Sequence, residues 1–145
     1  MTVLSIRKFA VAAALCLSGT AAFAQESEAR LAVELNGAAE TDAGACRLTF
    51  VAANQTGIAL DRTAYEIALF DAGGTVTRLL LLEFGALVEG KTKILQFELA
   101  ETGCATISRL VVNDVAACDE AGGTATGICL SALEASSRTA IQFGI

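Results

Sequence analysis

Histidine, proline and tryptophan are entirely missing from this 145-residue sequence, which has a single tyrosine and a single methionine. The absence of histidine excludes the ordinary serine triad and the Cys–His dyad. Without tryptophan and proline, the chain also lacks the aromatic anchor most enriched at interface hot spots and the segments that form polyproline helices. A pair of carboxylates could still act as acid and base.

Basic charge is also scarce. All sixteen acidic residues follow residue 24, but only eight of the ten lysines and arginines do, so residues 25–145 carry a net charge of −8. A strongly acidic surface argues against binding to nucleic acid or to anionic lipid, because both need a basic surface. We interpret the acidity as an aid to solubility.

The first 24 residues have the pattern of a secretory signal peptide. Arg7 and Lys8 precede an apolar core over 9–17, and Ala22-Phe23-Ala24 forms a small-x-small cleavage site. An apolar core of this length is too short to span a bilayer. The sequence therefore predicts export with cleavage after Ala24, no membrane span afterwards, and one mature domain over 25–145 in the periplasm or outside the cell.

Four cysteines remain after this cleavage, namely Cys46, Cys104, Cys118 and Cys129. An even number of cysteines in an exported chain indicates two disulfides. A metal site is a poor alternative, because the chain has no C-x-x-C spacing and no histidine. We expect no bound metal and no cofactor.

A hairpin over Thr63–Leu82 is the clearest structural signal. Tyr65, Ile67 and Leu69 alternate with smaller or polar residues, as in a strand with one buried face. Asp-Ala-Gly-Gly over 71–74 supplies the turn. The return strand ends in four leucines, 79–82, a run typical of a strand covered on both faces.

Further short strands follow at roughly ten-residue spacing, with Gly-rich or polar turns between them. They are predicted at 31–36, 46–53, 92–99 and 104–113, with a loop over 37–44. Residues 128–137 fit either a short helix or a strand, and we favour a terminal hairpin for the tail. The pattern predicts an all-β protein, an immunoglobulin-like two-sheet sandwich of about seven to eight antiparallel strands.

Strand direction then predicts how the cysteines pair. If successive strands reverse, the strands that open at Cys46 and Cys104 run the same way, and both cysteines have core-facing parity. We therefore expect an inter-sheet bond between them. The remaining bond, Cys118–Cys129, would close the flexible glycine-rich loop DEAGGTATG over 119–127.

The turn motifs resemble those of a known family. Phe50–Gly57 ends in Asn-Gln-Thr-Gly, Leu69–Gly74 contains Phe-Asp-x-x-Gly, and Leu87–Lys91 reads Leu-Val-Glu-Gly-Lys. Together they resemble the immunoglobulin-like FxLYD type of secreted bacterial domain, although Val88 stands where proline is common and the cysteines are additions. The mature chain is also similar to small exported proteobacterial proteins with paired cysteines. The resemblance implies a sandwich fold and no catalytic residues.

Two classes of function remain open. The first is an exported, non-enzymatic binding module that recognises an envelope or other periplasmic component through sheet edges or end loops. The second is a carboxylate-dependent hydrolase or isomerase, and a purely structural envelope protein is a third possibility. The acidic cluster of Asp114, Asp119 and Glu120 lacks the alternation of a calcium loop, so a solvated loop is its simpler interpretation.

The loop between Cys118 and Cys129 is the predicted recognition site. A disulfide at its base lowers the entropy lost when the loop becomes ordered on binding. The loops over 54–62 and 83–90 complete the expected set. The candidate binding residues are Asp119, Glu120, Gly122, Gly123 and Thr124.

Overall fold

The structure is a computed structural model and describes residues 28–145, so the predicted signal peptide lies outside the described residues. The strands are β1 (Arg30–Glu40), β2 (Cys46–Gln55), β3 (Leu60–Phe70), β4 (Val76–Glu83), β5 (Thr92–Leu99), β6 (Arg109–Glu120), β7 (Thr124–Ala125), β8 (Leu133–Ser137) and β9 (Gln142–Gly144). One turn of 3-10 helix, Cys104–Thr106, precedes β6, and the one-turn helix α1 (Ile128–Ser131) precedes β8.

These strands form two packed sheets. The first has the order β5-β2-β1-β8, and the second has the order β4-β3-β6 with β7 and β9 both paired to β6. Between the sheets lies one apolar core, to which β2 contributes Cys46, Leu48, Phe50 and Ala52 on its predicted inward face. The all-β two-sheet sandwich predicted from the sequence is confirmed, with nine strands.

Aromatic rings join the two sheets at the centre of the core. Phe50 of the first sheet lies edge-to-face with Phe84, at 5.6 Å between ring centroids, and with Phe143 at 5.3 Å. Tyr65 of the second sheet packs against Phe84 at the same 5.6 Å. Edge-to-face pairs contribute about 0.5–1.5 kcal/mol each beyond their buried area. The cluster therefore fixes how the sheets are stacked.

The central hairpin forms where the sequence predicted it, but its leucine run has a different environment. β4 pairs with β3 from Ala64↔Glu83 to Leu69↔Arg78, and the chain turns at Asp71–Gly74. The sandwich has two layers, so the outer face of β4 has no sheet packed against it within residues 28–145, and β4 is also the last strand of its sheet. Leu82 is buried, whereas Leu79 and Leu81 are exposed, and the prediction of a strand covered on both faces was wrong.

The tail also differs from its prediction. β8 runs parallel to β1 and β9 runs parallel to β6, so the two last strands lie in different sheets and form no terminal hairpin. The segment between them crosses from sheet to sheet: Arg138 N–H donates to Leu35 O (2.9 Å), and Gln142 N–H donates to Ser108 O (3.0 Å). The expectation of purely antiparallel pairing is corrected at these two pairs.

Both predicted disulfides are present. Cys118 and Cys129 join the end of β6 to α1, with their Cα atoms 5.9 Å apart. Cys46 at the start of β2 is bonded to Cys104, with a Cα separation of 4.7 Å. Cys104 lies in the 3-10 turn before β6 rather than in a strand. The bond therefore ties the first sheet to the segment between β5 and β6, and not to a strand of the second sheet.

The first predicted loop proves shorter than expected. β1 continues through Gly37 to Glu40, where the sequence predicted a loop from residue 37. A register shift between Leu35 and Gly37 absorbs one extra residue, and the pairing with β2 resumes at Gly37↔Thr49. Such a bulge lets a strand continue past residues that break its alternation.

Candidate functional site

The three predicted loops meet at one end of the sandwich, which we call the loop end. Leu60 and Leu87 exchange backbone hydrogen bonds of 3.0 and 2.8 Å and so join the second loop to the start of β3. Ala121 N–H donates to Ala59 O at 3.0 Å, and Gly122 N–H donates to Asp61 Oδ2 at 3.0 Å. The three segments that the sequence predicted as recognition loops are therefore neighbours in the structure.

The predicted binding loop is itself an ordered hairpin. Asp119 and Glu120 lie in β6 and pair with Ala125 and Thr124 of β7. The turn between the strands contains Gly122 and Gly123, whose φ angles of 95° and 82° favour glycine. The segment therefore forms a short hairpin where the sequence predicted a loop, because these two glycines allow the chain to reverse and pair. Whether this hairpin binds a partner stays a prediction.

A buried asparagine holds the loop end together. Asn54 is fully buried, and its side-chain amide donates to Ile58 O (2.9 Å) and to Leu87 O (2.8 Å). Its side-chain oxygen accepts from the backbone N–H of Thr56 at 3.1 Å and from the Thr56 hydroxyl at 2.8 Å. The sequence identified this position only as a turn. All four hydrogen-bonding positions of the amide are satisfied, so the two loops are fixed relative to each other.

The charged groups of the sandwich form surface pairs. Arg62 donates to Glu83 at 3.0 Å, and this hydrogen bond raises the pKa of Arg62. Glu34 accepts from Asn36 and from Arg138, and these bonds lower the pKa of Glu34. Burial raises the pKa of Tyr65, whose hydroxyl donates to Cys129 O at 2.8 Å. Each shift has a structural cause, and these groups do not face one another across a cleft.

The acidic cluster predicted around the second disulfide is dispersed. Asp114 lies opposite Glu66, five residues along β6 from Asp119. Across residues 28–145, no three cysteine, aspartate or glutamate side chains converge in a group that could hold a metal ion. No helix within the described residues is long and apolar enough to cross a membrane.

The edge strand β4 is a feature that the sequence did not reveal. Its outward-facing Leu79 and Leu81 are 56% and 58% exposed. β3 is its one strand neighbour in the part of the chain that the structure describes. The run 79–82 contains no charge, no proline and no glycine, which are the residues that usually protect an edge strand.

The backbone of β4 is also free to pair. Phe84 N–H donates to Thr63 O at 2.8 Å, so the bonded residues of this ladder are Phe84, Leu82 and Leu80, each opposite its β3 partner. The N–H and C=O groups of Leu79 and Leu81 therefore point away from β3, on the open side. One edge thus presents apolar side chains and unpaired backbone groups together.

The other lateral side of the sandwich is partly covered where the chain crosses between the sheets. Ser137 of β8 donates through its hydroxyl to Ile141 O (2.6 Å), next to the start of β9. This hydrogen bond and the crossing segment 138–141 connect the two sheets there. β5 is the open edge of the first sheet, but Lys93 and Glu98 interrupt its apolar pattern. The β4 edge is therefore the strongest candidate interaction surface that the structure adds to the predicted loops.

Comparison with known proteins supports the fold and goes no further. No protein-family model matches the chain, and no curated protein matches it. Among solved structures, the sandwich is similar to IrmA from Escherichia coli, with a TM-score of 0.55 and 13% sequence identity. The match covers 74% of this chain and 92% of that one. At this identity, the similarity shows a shared β-sandwich fold and does not assign a family.

Proposed function

We propose that the mature domain is a non-catalytic interaction module that binds another polypeptide by adding a strand to β4. The observation that carries this proposal is the coincidence, on one edge, of exposed leucines with backbone groups that have no partner strand among residues 28–145. In strand addition, main-chain hydrogen bonds supply affinity, and alternate side chains supply specificity. The uncharged run 79–82 meets both requirements.

The compartment follows from several supporting features. Two disulfides indicate an oxidising, extracytoplasmic location. The predicted signal peptide would direct the chain to the periplasm or the exterior, and the resemblance of its turn motifs to FxLYD-type domains agrees with a secreted bacterial module. The expected partner is an envelope protein or another periplasmic component.

Site-specific photocrosslinking tests the β4 site. A photoreactive amino acid replaces Leu81 in one variant and Ile145 in a control, since Ile145 is 68% exposed but follows β9, which β3 and β6 separate from β4. We expect crosslinked species in envelope extract from the Leu81 variant and few from the Ile145 variant. Equal crosslinking at both positions, or none at Leu81, would contradict binding at β4.

The hairpin over 119–127 is a second candidate surface on the same module. Its anchoring by the disulfide and by Asp61 means that little entropy is lost when it binds. The test replaces 122–126 with a serine linker and compares the captured partners with those of the wild type. If the fold survives and every partner is retained, the hairpin is only a connection between β6 and α1.

A further inference from the structure

The β4 edge is complementary to itself. We infer that the polypeptide bound there is β4 of a second copy, paired antiparallel about a two-fold axis at Leu80. This inference rests on the proposed function, because it names the partner of the same edge.

The ladder and the faces restrict the register. Leu79, Leu81 and Glu83 have outward side chains and backbone groups on the open side, so hydrogen-bonded pairs across the axis must join these residues. A two-fold axis perpendicular to the sheet leaves the solvent-exposed face of β4 on the same side in both copies. The outward side chains of one copy therefore lie opposite outward side chains of the other. A one-residue slip would place exposed leucines on the opposite face from their partners.

Among the registers that remain, one matches the leucines best. With the axis at Leu80, Leu79 of each copy lies opposite Leu81 of the second copy, and both exposed leucines have a leucine partner. With the axis at Leu81, Leu79 would lie opposite Glu83 and place a carboxylate against an apolar side chain. With the axis at Leu79, Leu81 would lie opposite Thr77. Apolar cross-strand pairs are the stabilising units of a sheet, so the Leu80 register is favoured.

The local charges permit this pairing. Glu83 would lie near Thr77 of the second copy, where the register of β4 against β3 shifts by one residue, and no two like charges oppose each other. Arg78 is already held by Ala100 O at 3.0 Å and by the Thr102 hydroxyl at 3.2 Å. The net negative charge of each copy opposes association at longer range, and salt screens that repulsion. The dimer should therefore become tighter as ionic strength rises.

Sedimentation equilibrium of the purified mature protein tests whether the second copy binds. We expect a monomer–dimer equilibrium in the wild type and a loss of affinity of more than about tenfold in Leu81→Lys, because two ammonium groups then face leucines. Ile145→Lys, with the same charge change at an exposed position beyond β9, should dimerise like the wild type. A wild-type protein that stays monomeric, or a Leu81→Lys protein that dimerises as well as Ile145→Lys, would overturn the inference.

Disulfide trapping tests the register. Opposite residues of a non-hydrogen-bonded pair have Cα atoms about 4.5 Å apart, within the range of a disulfide. Leu80→Cys should therefore form a covalent dimer under mild oxidation. Leu81→Cys should not, since its own counterpart would lie diagonally at about 7–8 Å. A covalent dimer of Leu81→Cys but not of Leu80→Cys would show that the axis has been misplaced.

The two proposals can fail separately. If the purified protein stays monomeric while the Leu81 photocrosslinking variant captures another protein, the second-copy inference is wrong and strand addition at β4 stands. If the protein dimerises but neither Leu81→Lys nor Leu80→Cys affects the dimer, the second-copy inference is wrong. If the Leu81 photocrosslinking variant then also captures nothing, strand addition at β4 is wrong as well.

Discussion

Replacement of Asn54 should loosen the loop end and destabilise the whole domain. The buried amide makes four hydrogen bonds, and Asn54→Ala removes all of them. Leu87 O keeps its bond from Leu60 N–H at 3.0 Å, and the Thr56 hydroxyl, no longer donating to Asn54, can donate its one proton to Ile58 O at 3.1 Å. At about 1 kcal/mol net for each hydrogen bond, and with these partial replacements, we expect a loss of about 2–4 kcal/mol.

Asn54→Asp separates the donor bonds from the acceptor bonds. An ionised carboxylate can still accept from Thr56 but would repel the carbonyls of Ile58 and Leu87, so its pKa in the folded state should lie above the unfolded value of about 3.9. Below the unfolded pKa the carboxyl is protonated in both states and destabilises the fold least. As the pH rises towards and through the folded pKa, the loss of unfolding free energy grows. We expect Asn54→Asp to approach wild-type stability near pH 4 and to lose it towards pH 7.

Urea denaturation at the two pH values measures both effects. Gln55→Ala, at the exposed neighbouring position, is the control and should change the free energy of unfolding by less than about 0.5 kcal/mol. The reasoning is refuted if Asn54→Ala unfolds within about 0.5 kcal/mol of the wild type. It also fails if the difference between Asn54→Asp and the wild type does not depend on pH.

Three further changes test other parts of the core. Replacing both cysteines of the Cys46 disulfide by alanine should cost more than the same change at the Cys118 disulfide, about 4 against about 3 kcal/mol on the chain-entropy model, because the bonds close 58 and 11 residues; denaturation of each variant decides the order. Tyr65→Phe removes the bond to Cys129 O and should cost about 1 kcal/mol of unfolding free energy below pH 9. Above pH 10 an unfolded tyrosine ionises but the buried one does not, so the wild type should lose stability there and Tyr65→Phe should lose less. Thr63→Val should be neutral or stabilising by up to about 1 kcal/mol, because the Thr63 hydroxyl is buried without a hydrogen-bond partner in the described residues, and a clear loss in thermal unfolding would show that this hydroxyl has a role.

Local signals were sufficient to predict much of the fold. The alternation around Tyr65 and Ile67, the turn at Asp71 and the inward parity of β2 all depend on near neighbours in sequence. The sandwich and the disulfide pairing followed from them. The three loops of the loop end were also identified, because turn residues mark them directly.

What the sequence could not show depends on contacts between distant segments. A run of leucines is equally compatible with a central strand and with the edge position that β4 occupies, and only the strand order distinguishes them. The parallel pairing of β8 with β1 joins the two ends of the domain and leaves no local pattern. Asp119 and Glu120 read as loop residues because they are polar, yet β7 pairs with them.

Residue-resolved amide exchange by NMR tests strand addition at β4 most directly. In dilute protein, the N–H groups of Leu80 and Leu82 should be protected by their bonds to β3, and those of Leu79 and Leu81 should exchange faster. When the partner strand is added, or the protein is concentrated enough to associate, Leu79 and Leu81 should become protected while the loop end is unchanged. Association without any slowing of exchange at Leu79 and Leu81 would contradict the account.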